Sequence, residues 1–326
     1  MKERTLGSTG FDVTEVGLGT WEIGGEWGEV DADTGRDVVR AALDAGITFL
    51  DTADVYGDGR SESLIADVLA ERDADPVVAT KAGRRLDPHR AADYDAEHLR
   101  EFVDRSRENL DVDTLDLLQL HCPPTDAYYQ PETFDALDEL VAEDRIAHYG
   151  VSVERVEEGL KAIEYDGVET VQIIFNPFRQ RPAEHFFDRA AAEDVGVIVR
   201  VPYASGLLTG ALDADSEFAE DDHRNFNRDG EAFDVGETFA GVPFETGLEA
   251  VDELQARTGV DDLASFTLAW ILDHDAVSTV IPGTTTPAHV HDNAAAADRT
   301  PPTAAQHDAV DAVYDEYVRD HVHHRW

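Results

Sequence analysis

Four residues in the first half of the chain carry functional groups that could transfer a proton: Asp51, Tyr56, Lys81 and His121. Lys81 is one of only three lysines in 326 residues, and it ends the strand-like run 77–80. An ammonium group at the end of a buried strand loses its proton unless an acid stabilises it, and Asp51 is the acid that we expect to do so.

Position along the chain argues that these four groups act together. Taken singly, each has an ordinary explanation: a capping aspartate, a surface lysine, a half-buried histidine or a packed tyrosine. Asp51 follows the β-branched and apolar run 47–50, and His121 ends another such run. With Lys81, they would stand at the carboxyl ends of three buried strands, and Tyr56 would lie on the loop that leaves the strand of Asp51.

The elements that must position these residues alternate between strands and helices along the whole chain. Apolar runs separated by amphipathic helices are typical of a parallel sheet covered by helices. Eight strands are predicted at 16–19, 47–50, 77–81, 115–121, 148–152, 170–175, 195–201 and 279–282. We expect a closed (β/α)8 TIM barrel of the α/β class rather than an open doubly wound sheet, because no Gly-x-Gly-x-x-Gly turn opens a helix after an early strand.

Segments outside this alternation complete the predicted domain. An N-terminal β-hairpin is expected around residues 4–14, and residues 1–326 are expected to form a single barrel domain. The extra C-terminal helices are expected at 244–257, 263–272 and 301–318. Barrel enzymes keep their sites at the carboxyl ends of their strands, so we interpret the irregular stretch 213–242 as an active-site loop.

The charge balance narrows the range of partners. The chain has 70 Asp plus Glu against 26 Lys plus Arg, which gives a formal charge of -44. Such a surface repels phosphate backbones and anionic membranes, so neither nucleic acid nor a membrane is expected as a partner. The acids are spread through amphipathic segments, so we interpret them as the solvated face of a folded halophilic protein. Molar salt screens their repulsion with a Debye length of about 3 Å.

Other sequence features exclude further classes of site. Cys122 is the only cysteine, so neither an internal disulfide nor a cysteine-based zinc site is expected. The N-terminus lacks the apolar segment of a signal peptide, and no run approaches the roughly 20 apolar residues of a membrane helix, so a cytoplasmic location is expected. We expect no metal site and interpret His321, His323 and His324 as an exposed tail. Both a monomer and a homo-oligomer fit the sequence.

The motifs around the four residues resemble those of the aldo-keto reductase superfamily. The stretches FLDTADVYG (49–57), VATK (78–81) and LQLH (118–121) match that family's Asp, Tyr, Lys and His tetrad in chain order. The likeness covers nearly the whole chain, and the tetrad with its spacing is its most specific part. It implies a reductase that transfers hydride between NADP(H) and an aldehyde, ketone or sugar carbonyl, or the corresponding alcohol.

The resemblance also implies a role for each tetrad residue. Tyr56 would donate the proton that a carbonyl oxygen needs when it gains hydride. Lys81, held by Asp51, would supply a neighbouring cation that makes the phenol a better proton donor than its ordinary pKa of about 10 allows. His121 would orient the carbonyl and donate a hydrogen bond to the developing oxyanion.

A cofactor site along the same rim is implied as well. Ser152 and Gln172 match the family's carboxamide binders, and Tyr203 would stack on the nicotinamide. The stretch 204–208 would wrap the pyrophosphate with backbone N–H groups. The remaining implied cofactor contacts are Gly19, Thr20, Trp21, Asp51, Ala204, Ser205, Gly206, Leu207, Leu208, Gly283, Thr284, Thr285, Thr286, His289, Asp292 and Asn293. The implied substrate contacts are Trp21, Trp27, Tyr56 and His121.

The chain departs from the family pattern at the positions that distinguish NADP(H) from NAD(H). The run 284–286 is three threonines where many relatives place Lys or Arg beside the 2′-phosphate, and His289 replaces a frequent Gln or Arg. A cation binds phosphate more strongly than a hydroxyl does. The resemblance implies NADP(H) as the cofactor, and the absence of a cation at these positions leaves NAD(H) open. Val153 stands where a second carboxamide-binding Asn often follows the serine.

Other functions stay open at this point. Some proteins of this fold serve ion channels as nicotinamide-binding regulatory (sensor) subunits with little turnover. A phosphate-binding barrel isomerase is a third option, and it would not bind a nicotinamide. Arg84 and Arg85 could meet either an anionic substrate or the acids nearby, and the sequence does not decide between these partners.

Overall fold

A computed structural model describes residues 1–25 and 30–326. A two-stranded antiparallel hairpin comes first, and eight parallel strands follow it in chain order. The hairpin strands are β1 (Glu3–Thr5) and β2 (Asp12–Thr14). The parallel strands are β3 (Leu18–Gly19), β4 (Phe49–Asp51), β5 (Val77–Ala82), β6 (Leu115–His121), β7 (Ile146–Ser152), β8 (Val168–Ile174), β9 (Gly196–Arg200) and β10 (Val277–Val280).

The eight parallel strands close into a barrel. Each strand pairs with the next one along the chain, from β3 to β10. Parallel bridges from Val16 to Val280 and from Gly19 to Gly283 then join the first strand to the last. The predicted TIM barrel is therefore confirmed, and so is the N-terminal hairpin.

Helices connect the strands and cover the barrel. They are α1 (Trp21–Gly24), α2 (Ala32–Asp44), α3 (Arg60–Glu71), α4 (Ala96–Leu110), α5 (Pro131–Ala142), α6 (Val156–Ala162), α7 (Arg181–His185), α8 (Phe187–Ala192), α9 (His223–Phe226), α10 (Phe244–Thr258), α11 (Leu263–Leu272), α12 (Pro287–Ala296), α13 (Ala304–Val313) and α14 (Arg319–Val322). Local sequence sets several of their ends: the Asp31 carboxylate caps α2 at the Thr34 amide, and Asp95 caps α4. The extra C-terminal helices are confirmed.

Apolar side chains fill one end of the barrel and leave the other end for polar groups. Leu6 of the hairpin is fully buried inside the barrel. It belongs to a cluster with Val13, Phe49, Ala79, Leu117, Ile198 and Ile281. The hairpin therefore plugs the amino-terminal end of the barrel, and the polar strand ends lie at the opposite rim.

The stretch 213–242 lies at this rim without contributing a strand. It contains α9 and two 3-10 turns, Val235–Glu237 and Phe239–Gly241. The Trp326 indole donates a hydrogen bond to Asp234, and the Arg179 guanidinium lies 4.2 Å from the Trp326 ring centroid. The end of the chain is therefore fixed against this stretch, and the predicted exposed tail is correct only for His321 and His324.

None of the helices in residues 1–25 and 30–326 combines the length and the apolar character needed to cross a bilayer.

Candidate active site

The structure brings three of the predicted tetrad residues into direct contact. Asp51 ends β4, Lys81 lies on the adjacent β5, and Tyr56 follows on the loop after β4. The Lys81 ammonium donates to Asp51 Oδ1 at 2.5 Å, to the Thr52 carbonyl at 2.8 Å and to Tyr56 Oη at 3.3 Å. Only 1% of the Lys81 side chain is exposed. All three donor positions of the ammonium are thus filled by residues of the site.

Burial and charge act in opposite directions on this lysine. Burial lowers the pKa of Lys81, and the charge and hydrogen bond of Asp51 oppose that shift. Burial, together with the Asp51 charge, raises the pKa of Tyr56 well above 10, although Arg84 lowers it. Desolvation thus outweighs the nearby arginines and keeps the hydroxyl protonated, and the acidifying effect of Lys81 on the phenol stays a prediction.

The second oxygen of Asp51 is held by two amide side chains. Gln119 donates to Asp51 Oδ2 at 3.1 Å, and Gln172 donates at 2.6 Å. Gln172 was predicted to bind a carboxamide, but its amide nitrogen is engaged with Asp51 and its oxygen accepts from the Ser152 hydroxyl at 3.3 Å. Gln119 was not predicted. Its signal is a glutamine inside an otherwise apolar strand that ends at His121.

His121, the fourth tetrad residue, ends β6 beside Tyr56. The two rings lie 5.8 Å apart between centroids and nearly perpendicular, at 85°. Burial lowers the pKa of His121 well below 6.5, and the charges of Arg84, Lys81 and Arg200 lower it further. Its Nδ1 atom is buried and has no hydrogen-bond partner among the described residues. A neutral ring without an acceptor at Nδ1 keeps its proton on Nε2, the nitrogen that remains for a ligand.

A cavity of about 390 Å³ opens at this rim and extends from the tetrad towards α12. The sequence-predicted residues that line it are Gly19, Thr20, Trp21, Asp51, Tyr56, His121, Ser152, Gln172, Tyr203, Ser205, Gly206, Gly283, Thr284, Thr285 and His289. Those that do not line it are Lys81, Ala204, Leu207, Leu208, Thr286, Asp292 and Asn293. Trp27 lies outside the described residues. Most of the predicted site residues therefore line one cavity. Lys81 does not line it but contacts Asp51 and Tyr56, which do.

Hydroxyl and imidazole groups form the end of the cavity near α12. The Tyr203 hydroxyl donates to Asn293 Oδ1 at 2.7 Å, and Thr284 Oγ1 lies 3.3 Å from His289 Nδ1. Tyr203 thus joins the loop after β9 to the helix that carries Asn293. No lysine or arginine occurs in 283–293.

The loop after β9 is shaped mostly by its own hydrogen bonds. Two of the N–H groups predicted to wrap a pyrophosphate, those of Gly206 and Leu208, donate to the Tyr203 carbonyl at 3.0 Å. Ser205 has a left-handed φ of 55°, and its hydroxyl accepts from the Phe239 amide at 3.0 Å. The hydrogen bond between Ser205 and Phe239 therefore fixes this loop to the stretch 213–242.

A cluster of four charges, of which Arg200 and Glu237 are buried, lies beside the tetrad, and only Arg84 among them was considered from the sequence. Arg84 contacts both Glu237 and Glu154, with 3.2 Å to Glu154 Oε1. Arg200, the last residue of β9, lies 3.0 Å from Glu154 and 3.7 Å from Glu237. Burial and the neighbouring Glu237 raise the pKa of Glu154. Burial also opposes ionisation of Glu237, but Arg84 and Arg200 hold its pKa low.

This cluster decides the partner of Arg84, which the sequence left open. Arg84 meets the local acids, and Arg85 likewise meets Asp58 at 2.5 Å. Glu237 lies on 213–242 and, with Arg224 and Arg200, lines the cavity. The stretch 213–242 therefore supplies part of the cavity wall.

Aromatic rings cover the tetrad from the side of 213–242. Trp21 is stacked on Tyr56 with 6.2 Å between ring centroids and 22° between ring planes. His223 and Phe233 pack against Trp21 at 4.8 and 5.8 Å. Trp21 thus covers one face of the phenol ring, whose hydroxyl contacts Lys81.

Comparison with known proteins agrees with this geometry. A sequence model of the Aldo/keto reductase family matches residues 15–315. The aldo-keto reductase YhdN of Bacillus subtilis (strain 168) is 29% identical over 295 residues, which cover 88% of this chain and 86% of that protein. A probable voltage-gated potassium channel subunit beta of Arabidopsis thaliana is 27% identical, with 92% of both chains covered. The solved glycerol dehydrogenase AKR11B4 from Gluconobacter oxydans has a TM-score of 0.77 and 28% identity over 97% of this chain and 96% of its own. The chain described here belongs to the aldo/keto reductase family.

Proposed function

We propose that this protein is an oxidoreductase that transfers hydride between a nicotinamide dinucleotide and an aldehyde, ketone or sugar carbonyl, or the corresponding alcohol, with Tyr56 as the proton donor. The observation that carries the proposal is the contact of Lys81 with Asp51 and Tyr56 at the cavity floor. A buried cation beside a protonated phenol is what donation to an alkoxide requires.

The cavity suits an elongated dinucleotide. One end contains the tetrad, and the other is lined by Thr284, Thr285 and His289. Gly283 also lines the cavity. The hydroxyl and imidazole groups at the far end can donate to phosphate or accept from ribose.

The roles of the chain's own residues follow from their environment. When bound, the dinucleotide supplies the hydride. Burial keeps the Tyr56 hydroxyl protonated until a carbonyl oxygen accepts its hydrogen bond and, as charge develops there, its proton. Lys81, 3.3 Å away, stabilises the phenolate left behind. His121 donates from Nε2 to the same oxygen, and its low pKa keeps the ring a neutral donor throughout.

Asp51 and the two glutamines hold this arrangement rather than reacting. Asp51 keeps Lys81 charged in a desolvated position, since an unpaired ammonium there would lose its proton. Gln119 and Gln172 donate hydrogen bonds to the other carboxylate oxygen, and these bonds hold Asp51 in the orientation that faces Lys81. The cavity floor is therefore preorganised before any ligand enters.

NADP(H) is the proposed cofactor, with NAD(H) as the alternative to be tested. Thr284 and Thr285 offer hydroxyl groups and His289 an imidazole for a 2′-phosphate. In the absence of a lysine or arginine in 283–293, discrimination between the two dinucleotides is expected to be modest.

The decisive experiment measures turnover and binding separately. The purified chain in molar KCl is mixed with NADPH or NADH and a panel of aldehydes, ketones and sugars, and nicotinamide absorbance is followed. Oxidation of the dinucleotide by at least one carbonyl, lost in Tyr56→Phe, supports the proposal. Tight dinucleotide binding with no turnover across the panel would favour the regulatory subunit, the function that the potassium channel relative carries in its name. A protein that binds neither dinucleotide would refute both.

A further inference from the structure

Glu22, in helix α1, is one of the residues that line the cavity. Its carboxyl group packs against Gly283. A Cβ atom added to Gly283 would fall 1.7 Å from Glu22 Oε2 and 2.2 Å from Oε1. The missing side chain of Gly283 thus provides the space that this carboxyl group occupies.

The carboxyl group lacks the strong partners that the other cavity acids have. Within 1–25 and 30–326, its hydrogen bond comes from its own backbone N–H, and no side chain donates to it. Asp51 by contrast is paired with Lys81, and Glu237 with Arg84 and Arg200. Burial raises the pKa of Glu22 to about 7, although its own N–H and the Arg224 charge lower it.

The position of Glu22 bears on the proposed function, on which this inference rests. The same cavity is lined by the tetrad residues Tyr56 and His121 and by Thr285 and His289. A dinucleotide that fills this cavity brings its pyrophosphate, which carries two negative charges, into the space that Glu22 also lines. An ionised Glu22 would therefore repel the anionic cofactor, because the wall of a cavity screens charge less than bulk water does.

We propose that Glu22 takes up a proton from solvent as the dinucleotide enters, so that cofactor binding is coupled to the uptake of one proton. The protonated carboxyl group then donates a hydrogen bond to the anionic cofactor instead of repelling it. No other bond is made or broken in this step. Glu22 is thus a residue that sets the pH dependence of cofactor affinity.

The other charged groups around the cavity do not remove the need for this proton. Arg224 is the cation that influences Glu22, but it is also bound to Asp222 at 2.6 Å. Asp51, Arg200 and Glu237 have oppositely charged partners, and the low pKa of His121 keeps that ring neutral. His289 is the other imidazole that lines the cavity, and its contact is Thr284. A variant of His289 therefore belongs in the test.

The sign of the effect follows from linkage. Glu22 is protonated more readily in the complex than in the free protein, so affinity is highest at low pH. It falls as pH rises past the pKa of about 7 in the free protein, by up to roughly tenfold per pH unit. Above the pKa in the complex, affinity becomes constant again.

Calorimetric titration with NADH in molar KCl tests this coupling without any turnover. NADH is chosen because it lacks the 2′-phosphate, which titrates near pH 6 in phosphate esters. Titrations at pH 8 in two buffers of different ionisation enthalpy give the number of protons taken up. We expect close to one proton per NADH for the unmodified chain and none for Glu22→Gln, whose Kd should also stay constant from pH 7 to 9.

Two control variants and the proton count itself make the test decisive. Glu101→Gln removes an exposed acid on α4 and should keep the proton uptake, as should His289→Gln even if it weakens binding. The proton count is measured on the unmodified chain, so the inference can be refuted even if Glu22→Gln folds poorly. NADH binding without proton uptake, or uptake that persists in Glu22→Gln, would overturn this inference and leave the proposed function standing. Failure to bind either dinucleotide at any pH would overturn both.

Discussion

The Lys81 ammonium lies 2.5 Å from Asp51 Oδ1, and both side chains are at least 96% buried. Breaking a buried ion pair by removing one partner costs about 3–5 kcal/mol, because the other charge is left uncompensated, whereas replacing both by apolar groups is often nearly neutral. The pair thus serves the proposed chemistry, and it destabilises the fold when only one partner is lost. Single and double variants can separate these two effects.

Removal of Asp51 alone is predicted to destabilise the fold more than removal of the whole pair. Asp51→Asn should lower the free energy of unfolding by about 3 kcal/mol. The double variant Asp51→Asn with Lys81→Met should recover most of that loss and remain inactive. Denaturant unfolding in molar KCl measures both effects. The exposed pair of Arg36 and Asp67 is the matched control, and Asp67→Asn should cost less than about 1 kcal/mol. Equal losses in the single and double variants would contradict a buried, mutually compensating pair.

Substitution of Tyr56 is predicted to separate turnover from binding. Tyr56→Phe keeps the ring that stacks on Trp21 and removes only the proton donor. Turnover should fall by about 10²–10⁴-fold with cofactor Kd nearly unchanged, as measured by steady-state kinetics and fluorescence titration. Tyr203→Phe, which removes the bond to Asn293, should do the reverse and weaken cofactor binding more than turnover. Similar losses in both quantities for Tyr56→Phe would count against the donor role.

The barrel and the tetrad could be predicted because both depend on local pattern. Buried parallel strands appear in the sequence as apolar runs, and a barrel places all their carboxyl ends at one rim. Asp51, Lys81 and His121 therefore had to lie on neighbouring strands of one end. No contact between distant residues was needed for that prediction.

The surroundings of the tetrad could not be predicted because they depend on contacts between distant residues. Glu237 reaches Arg84 across 153 positions of sequence, from a stretch with no strand or long helix to fix its register. Gln119 shares Asp51 with Gln172 although Gln119 pairs with Lys81 and Gln172 with Ser152, so their meeting depends on the stagger of the strands. The pKa of Tyr56 depends on how completely these groups exclude water, which no spacing in the sequence reports.

The contacts of Glu237 with Arg84 and Arg200 are predicted to hold 213–242 against the cavity. Glu237→Gln keeps the shape of the side chain but leaves the two guanidinium groups with less opposing charge. Because proteolysis reports the open population, we expect trypsin to cleave this stretch more than tenfold faster and cofactor to dissociate faster. Glu231→Gln, an exposed acid on the same stretch, is the control and should change neither rate. Unchanged cleavage in Glu237→Gln would show that other contacts hold the loop.

The formal charge of -44 is predicted to make stability depend on salt. At 0.1 M salt the Debye length is about 10 Å, so acids on neighbouring helices repel one another, whereas at 1 M it is about 3 Å. The melting temperature should therefore fall as KCl is reduced from molar to 0.1 M. Sucrose at the same osmolality stabilises folded proteins by exclusion from their surface but does not screen charge, so it should restore only part of the loss. Equal melting temperatures at the two KCl concentrations would refute the halophilic interpretation.

Asp54 is predicted to weaken the fold progressively as pH rises from 5 to 8. Its side chain is fully buried on the loop that carries Tyr56, and neither oxygen has a hydrogen-bond partner among the described residues. Burial and the charge of Glu62 raise the pKa of Asp54 to about 7, against the opposing charges of Arg85 and Arg105. The folded state therefore holds this proton over a range in which the unfolded chain, with an ordinary pKa of about 3.9, has lost it. The free energy of unfolding consequently falls as pH rises through that window and becomes level above it.

Asp54→Asn removes the titratable carboxyl group and with it this contribution to the pH dependence of the unfolding free energy. Relative to the unmodified chain, the variant should gain about 2 kcal/mol of unfolding free energy between pH 5 and 8, measured by denaturant titration at constant KCl. Asp58→Asn provides a control of opposite sign, because hydrogen bonding to Arg85 and the charge of Arg105 lower the pKa of Asp58. That carboxyl group titrates below this window, so its variant should differ from the unmodified chain by a constant amount. A constant difference for Asp54→Asn as well would mean that the Asp54 carboxylate is already compensated when ionised, and that the loop carrying Tyr56 does not depend on its proton.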